Sequence, residues 1–242
     1  MKNFLSLIPL AALASCAASA PSAPPAGAGA DAAHPTVVEL YQSQGCSSCP
    51  PAIANVNALA DRPDVLPLMF AVTYWDQLGW KDSFDDPAYT QRQWDYARTQ
   101  GRAQVATPQV IVNGRVAVLG SRKSELDQAI AANARGVSGP AIARAGNAVT
   151  IGAAKADGAK AVGRATVWLV RYDPRTLEVA IGAGENTGKT IAHRGIVREL
   201  RPLGDWSGAA ARFAIPAGNP LYRLAILVQQ GKGGPIVAAA RI

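Results

Sequence analysis

Two cysteines separated by two residues, Cys46 and Cys49, are the side chains of this sequence best suited to chemistry. They follow an apolar, β-rich segment and a turn at Gln44 and Gly45, and a helical spacing of apolar residues begins just after them. The amide groups and the positive dipole end at the start of a helix favour a thiolate over a thiol. The pattern therefore predicts a dithiol/disulfide centre, with Cys46 as the exposed attacking sulfur and Cys49 as the deeper, resolving sulfur.

The elements that would position these cysteines alternate between strands and helices. Their predicted bounds are strand 37–41, helix 49–62, strand 65–73, helix 87–99, strands 109–112 and 115–119, and a helix opened by a capping box at 124–127. Asp86 is expected to cap the second helix, and Asn113-Gly114 to turn the hairpin. The order β-α-β-α-β-β-α predicts an α/β, thioredoxin-like domain over residues 36–136.

Thr107 and Pro108 precede the third strand and are candidates for the same site. In the predicted fold a cis proline at this position faces the dithiol and lets a substrate peptide pair beside it. A trans proline that opens a strand is the alternative.

Glu39 lies in the strand before the cysteines, where a desolvated carboxylate could take the proton from Cys49. A Glu39 that faces solvent at a sheet edge fits the pattern equally well. Trp75 and Asp76 follow the second strand, whose carboxyl end should open on the side of the dithiol. We expect them to line the site, with core packing of Trp75 as the alternative.

The pattern of residue types changes after a boundary at residues 136–140. Short β-type runs, separated by Gly, Pro and Asn, lie at 149–151, 165–172, 177–181, 191–200, 211–215, 221–228 and 236–240. We expect residues 137–242 to form an all-β antiparallel sandwich or barrel domain.

The N-terminus resembles a bacterial lipoprotein signal peptide over residues 1–16, ending in a lipobox at Cys16. Cleavage after Ala20 as an ordinary signal peptide is the alternative. Residues 17–35 are rich in Ala, Pro and Gly and are predicted to be a flexible tether. We expect a periplasm-facing lipoprotein of the cell envelope, in the outer rather than the inner membrane, or a soluble secreted protein if Cys16 carries no lipid.

Charge and cysteine content restrict the partners. The net charge of +7 is dispersed without a dense Lys/Arg block, which argues against nucleic-acid binding. With Cys16 lipidated, Cys46 and Cys49 are the remaining thiols, in a compartment that permits disulfides. The expected partners are protein thiols or disulfides, or a redox partner protein, besides the membrane that holds the lipid anchor.

Four motifs taken together resemble a secreted bacterial family with a thioredoxin-like half and a β-rich half, catalogued as a domain of unknown function. The motifs are ELYQSQGCSSCPP, YWDQLGWKD, TPQVIVNGR and GENTGKTIAHRGIVRELRPLG. The resemblance covers roughly residues 36–242 and implies a thioredoxin fold with Cys46, Cys49 and Pro108 at the matching positions. It implies no particular activity.

The leading interpretation is a membrane-tethered thiol–disulfide oxidoreductase, which needs no cofactor and no metal. A binding or scaffold protein with a permanent Cys46–Cys49 disulfide is the second interpretation. A Cu(I) carrier is the third, because the two cysteines and a distant histidine could bind copper. His34 and His193 are the two histidines, and we expect His193 to lie on a surface strand.

Overall fold

The computed structural model describes residues 29–154 and 164–242, together with Met1. The predicted signal peptide with Cys16, and residues 17–28 of the predicted tether, lie outside these ranges.

In the first part of the described chain helices alternate with strands, and the later part consists mainly of strands. The helices are α1 (Pro50–Asn57), α2 (Pro87–Thr99) and α3 (Lys123–Ala132), with a 3-10 helix at Thr73–Leu78. The strands are β1 (Thr36–Gln42), β2 (Val65–Ala71), β3 (Gln109–Val112), β4 (Val116–Val118), β5 (Ile142–Ala145), β6 (Ala148–Ile151), β7 (Ala165–Asp173), β8 (Leu177–Ala180), β9 (Thr190–His193), β10 (Ile196–Trp206), β11 (Ala211–Ala214), β12 (Arg223–Gln230) and β13 (Ile236–Arg241).

Eight of these strands form one mixed sheet in the order β13-β12-β7-β10-β2-β1-β3-β4. Strands β1 and β2 are parallel, and β3 is antiparallel to β1. Strand β10 joins β2 in parallel where Ile196 pairs with Met69, and the Met69 N–H donates to the carbonyl of Gly195 at 2.9 Å. Strands from both halves of the chain therefore share one sheet.

This sheet overturns the predicted fold class. We expected a thioredoxin-like α/β domain followed by an all-β antiparallel sandwich or barrel, but 37% of the described residues are in strands and only 18% are in helices. The edge of β2 that a separate α/β domain would leave free is paired with β10. The sequence pattern reports the period of each element, whereas the pairing of strands distant in sequence depends on tertiary contacts.

The large sheet is covered on both faces. On one face, α1, α3 and the hairpin of β8 and β9 bury a core that includes both cysteines, while the three-stranded sheet β11-β6-β5 covers the far end. On the opposite face, α2 packs its Tyr89 and Tyr96 against β1 and β2. The cysteines and α2 therefore lie on opposite sides of the sheet.

Local signals in the sequence account for several elements. Asp86 caps α2 by accepting the N–H of Ala88 at 2.7 Å, and Pro87 occupies the first helical turn, as predicted. Asn113 and Gly114 turn the antiparallel β3–β4 hairpin with positive φ angles of 47° and 68°, also as predicted. The prediction of a capping box at residues 124–127 is wrong, because α3 begins at Lys123 and its N-cap, Arg122, makes no side-chain hydrogen bond to the helix.

A buried ion pair joins β1, α2 and β12. The Arg92 Nε donates to Glu39 Oε1 at 2.8 Å, and Arg92 Nη1 donates to Gln229 Oε1 at 2.9 Å. Tyr96 donates its hydroxyl to the other Glu39 oxygen, and its ring lies beside the guanidinium. Glu39 is fully buried and Arg92 is 5% exposed, so both charges depend on these partners rather than on water.

Glu39→Ala should destabilise the protein by about 3–5 kcal/mol, because it leaves the Arg92 guanidinium buried without its counter-charge. Urea unfolding at neutral pH measures the loss. Arg98→Ala is the matched control on the same helix: it breaks the exposed pair with Asp95 and should cost no more than about 1 kcal/mol. Equal losses in the two variants would contradict a structural role for the buried pair.

Candidate functional site

Cys46 and Cys49 are joined by a disulfide, with their Cα atoms 5.4 Å apart. They lie in the cysteine turn (residues 43–49), which connects β1 to α1. Both cysteines have no exposed surface, so the expectation that Cys46 reaches water is wrong for this conformation. Ser47 and Ser48, which separate them, are exposed, and the disulfide therefore lies directly beneath the surface.

The amino end of α1 offers few hydrogen-bond donors to the sulfurs. Cys49 is the N-cap, and Pro50 and Pro51 fill the first turn without N–H groups. The Cys49 N–H already donates to the Cys46 carbonyl at 3.1 Å, and the Ile53 N–H donates to the Cys49 carbonyl at 3.0 Å. Helix-end amides consequently favour a thiolate less here than the sequence analysis expected.

Thr107 and Trp75 lie against the cysteine turn. The Trp75 Nε1 donates to Thr107 Oγ1 at 2.7 Å, and the Ser48 hydroxyl donates to the Thr107 carbonyl at 3.4 Å. The Ser48 Oγ is also 3.4 Å from the Cys46 Sγ. The Thr107–Pro108 peptide bond is cis, as predicted, and Pro108 is buried. The structure thus brings three predicted residues, Thr107, Pro108 and Trp75, to the disulfide side.

Two predicted residues lie elsewhere. Glu39 faces α2, because side chains alternate along β1 and its neighbours Val38 and Leu40 are the ones that pack with the cysteines. It therefore cannot take a proton from Cys49. Asp76 forms an ion pair with the exposed Lys81 at 2.7 Å rather than contacting the cysteines.

Asp82 is a buried carboxyl beside the cysteine turn that the sequence analysis missed. Its Oδ2 accepts the Gln44 N–H at 2.7 Å, and its Oδ1 accepts the Phe84 N–H at 2.9 Å. The neighbouring Trp80 donates its Nε1 to Gln44 Oε1 at 2.9 Å. Burial raises the pKa of the Asp82 carboxyl to about 6, against the hydrogen bonds from the two amides.

The loop between β8 and β9, residues 181–189, closes over the cysteine turn, and we call it the covering loop. Asn186 is fully buried and donates its Nδ2 to the carbonyls of Gln44 and Cys46, both at 2.9 Å. Glu185 accepts the Ser47 N–H at 3.1 Å. Hydrogen bonds from the side chain and backbone of Ser47 lower the pKa of Glu185, so this contact persists into mildly acidic solution.

A cavity of about 460 Å³ lies beside the cysteine turn, between α1 and β9. Its lining residues are Pro50, Ile53, Ala54, Asn57, Lys189, Thr190, Ile191 and Ala192. The four residues from α1 share one helical face, and Pro50 directly follows Cys49.

His193 is buried on β9 rather than on the surface as expected. Its Nδ1 lies 3.1 Å from the Ile191 carbonyl, its ring packs edge-on against Phe84, and burial lowers its pKa to about 4. Within residues 29–154 and 164–242, no three His, Cys, Asp or Glu side chains are grouped to hold a metal ion. No helix in the same ranges is long and apolar enough to span a bilayer.

The residues missed by the sequence analysis belong to motifs that it did register. Asp82 is the last residue of YWDQLGWKD and Asn186 lies in GENTGKTIAHRG, but each contacts the cysteine turn across a long stretch of chain. Local sequence patterns do not predict which turn such a side chain will contact. Their polar character between apolar strands was the available signal.

Comparisons with known proteins find a family model and solved structures that this chain resembles. Residues 37–229 match the model of a family described as "Protein of unknown function (DUF1223)". The crystal structure of protein AGR_C_4864 from Agrobacterium tumefaciens, a structural-genomics target, is 32% identical, with 86% of this chain and 93% of that chain covered at a TM-score of 0.70. HBP35 of Porphyromonas gingivalis is 13% identical over 86% of this chain and 74% of its own, with a TM-score of 0.53, and is similar in fold alone. None of the curated proteins matches the sequence.

Asp82→Asn should remove a pH dependence of stability. Because the pKa of Asp82 is raised on folding, the folded state binds more protons between about pH 4 and pH 6, and stability falls as pH rises through that window. The difference in unfolding free energy between the wild type and the variant should change by on the order of 3 kcal/mol from pH 4 to pH 7. Urea unfolding at each pH measures it.

Proposed function

We propose that this chain, which belongs to the DUF1223 family of proteins of unknown function, exchanges disulfides with partner proteins through Cys46 and Cys49. The proposal depends on one observation: a disulfide between cysteines three positions apart lies just beneath two exposed serines at the start of a helix.

The short spacing supports a chemical rather than a bracing role. In the chain-entropy account, a cross-link stabilises a fold by the loop it closes in the unfolded state, and longer loops gain more. A bridge between Cys46 and Cys49 closes one of the smallest possible loops, which corresponds to about 2 kcal/mol. Bracing therefore gives this bond close to the smallest stabilisation that a disulfide can provide.

The exchange proceeds through a mixed disulfide. A thiolate of a partner dithiol attacks the Cys46 Sγ, the Cys46–Cys49 bond breaks, and Cys49 leaves as a thiolate that takes a proton from solvent. The partner's second thiol loses its proton and attacks the partner sulfur of the mixed disulfide, which releases Cys46. The partner gains a disulfide, and two electrons and two protons pass to this chain; the reverse sequence reduces a partner disulfide.

The surroundings of Cys46 suit it to be the sulfur that leaves as a thiolate when the mixed disulfide resolves, and that attacks in the reverse sequence. The Ser48 hydroxyl, 3.4 Å from the Cys46 Sγ, can donate to that sulfur when it carries negative charge. The cavity between α1 and β9 begins at Pro50 and gives a partner chain apolar surface to contact beside the disulfide.

A permanent disulfide in a binding or scaffold protein is the second candidate, and the complete burial of both cysteines favours it. The two candidates differ in how the bond responds to thiols in the folded protein. An exchange centre is reduced and re-formed while the fold persists, whereas a permanent bridge reacts only when the chain unfolds.

We place the exchange in the cell envelope, on the strength of the lipobox pattern that ends at Cys16. Incorporation of radiolabelled palmitate in a bacterial host should label the wild-type chain and fail for Cys16→Ala. Equal labelling of both would contradict lipidation at this residue, and no labelling of either would favour a secreted protein.

Equilibration with glutathione buffers should convert the native protein between disulfide and dithiol forms reversibly. A Cys16→Ser background leaves Cys46 and Cys49 as the two reactive sulfurs, and alkylation after an acid quench counts their thiols by mass. Circular dichroism should remain that of the folded protein throughout. Reduction that occurs only in parallel with unfolding would contradict exchange and favour the permanent bridge.

In the same background, Cys49→Ala should capture partner proteins on Cys46 as mixed disulfides, because the resolving sulfur is gone. The matched control is Cys46→Ala, which retains Cys49 alone at the start of α1 and should capture far less. Equal capture by both variants would mean that Cys46 has no special role.

A further inference from the structure

We propose that the covering loop is a gate over the disulfide and that the Asn186 amide is the group that holds it closed. This inference rests on the proposed exchange function and adds a residue that controls access to it. In the closed conformation both sulfurs are sealed from solvent, so an attacking thiolate cannot reach them until some part of the cover moves.

The contacts of Asn186 are directed at the cysteine turn itself. One Nδ2 group donates two hydrogen bonds of 2.9 Å, to the carbonyl of Cys46 and to that of Gln44. Its Oδ1 accepts from the Lys189 Nζ at 2.8 Å, within the covering loop. Asn186 is therefore the buried polar link between the loop and the residue that would be attacked.

A second, outer contact reinforces the first. The carboxylate of Glu185 accepts the N–H of Ser47, which lies between the two cysteines. Glu185 is exposed, so this bond competes with water and contributes less than the buried amide. The loop is thus attached to the turn by polar groups that solvent can replace once the loop lifts.

The architecture lets this loop move without disturbing the large sheet. It belongs to the hairpin of β8 and β9, which forms a separate two-stranded sheet. The hairpin packs on the core through Ile181 and Ile191, so the part of the covering loop that can lift is residues 182–188, which lie outside that cluster. Gly184 and Gly188, with φ angles of 76° and 80°, flank Asn186 and provide backbone conformations that other residues rarely adopt.

The other residues over the turn are less suited to opening. Trp75 lies on the 3-10 helix that follows β2 and packs against the core around the disulfide. Its Nε1 is bonded to the Thr107 hydroxyl, next to the buried Pro108 and β3. Movement there would disturb the central strands, whereas residues 182–188 of the covering loop lie outside the core cluster that contains residues of those strands.

The gate is tested by the rate at which dithiothreitol reduces the oxidised, folded protein. Asn186→Asp has nearly the same shape and can still accept from Lys189, but it loses both donors to the cysteine turn. Its second-order reduction rate, in the Cys16→Ser background, should exceed that of the parent by about tenfold or more. Asn186→Ala should show an increase of the same order and covers the case in which a buried Asp prevents folding.

Thr187→Ala is the matched control, because Thr187 is exposed in the same loop and bonds only to the Gly184 carbonyl within it. Its reduction rate should stay within about twofold of the parent. If the two Asn186 variants react no faster than this control, the gate is overturned. An acceleration seen only in Trp75→Phe, which loses the bond to Thr107, would assign the cover to Trp75 instead and would overturn it as well.

Two further measurements distinguish a gate from a general loss of stability and from failure of the exchange function. A gate that closes alike over the disulfide and the dithiol speeds reduction and re-oxidation equally, so the equilibrium with glutathione should be unchanged in Asn186→Ala, which adds no charge beside the sulfurs, and its urea midpoint should not account for the faster rate. If the Asn186 variants are reduced fast but no partner protein is captured, the exchange function is contradicted and the gate stands. If partner proteins are captured but dithiothreitol reduces the folded parent as fast as its unfolded chain, the exchange function stands and the gate is contradicted.

Discussion

The carboxylate of Glu39 and the guanidinium of Arg92 meet inside the molecule, where neither can be hydrated. Their pairing fixes α2 against β1, and the added bond from Arg92 to Gln229 ties β12 to the same point. Strand β1 leads directly into the cysteine turn. The position of the disulfide therefore depends on charges buried on the other side of the sheet, which only this geometry satisfies.

Side chains from distant parts of the chain hold several backbone groups of the cysteine turn. Asp82 binds one amide of the turn and Asn186 binds two of its carbonyls. Such bonds satisfy backbone groups that have no secondary-structure partner. They also make the turn adjustable, because a side chain can release a carbonyl to water or to another donor without breaking a strand or a helix.

Local structure was predictable where the relevant partners are close in sequence. The Asp86 cap, the Asn113-Gly114 hairpin and the pairing of Cys46 with Cys49 all involve residues a few positions apart. Strand alternation places Glu39 on one face of the sheet and Val38 and Leu40 on the other, but it does not tell on which face the cysteines pack. The path of the cysteine turn decides that, so the separation of Glu39 from the cysteines was not predictable. The insertion of β10 beside β2 and the approach of Asn186 were hidden for a related reason. Both are contacts between segments far apart in sequence, which neither hydrophobic period nor turn chemistry encodes.

The shared sheet has a consequence for the order of events during synthesis. Strand β2 lacks its neighbour until β10 has been made, and Arg92 lacks Gln229 until β12 has been made. Contacts of such high sequence separation form late, because the intervening chain must close a long loop first. The segment with the cysteines therefore leaves the ribosome well before the residues that enclose it, and its two sulfurs stay accessible until the covering loop has been made and has packed against them.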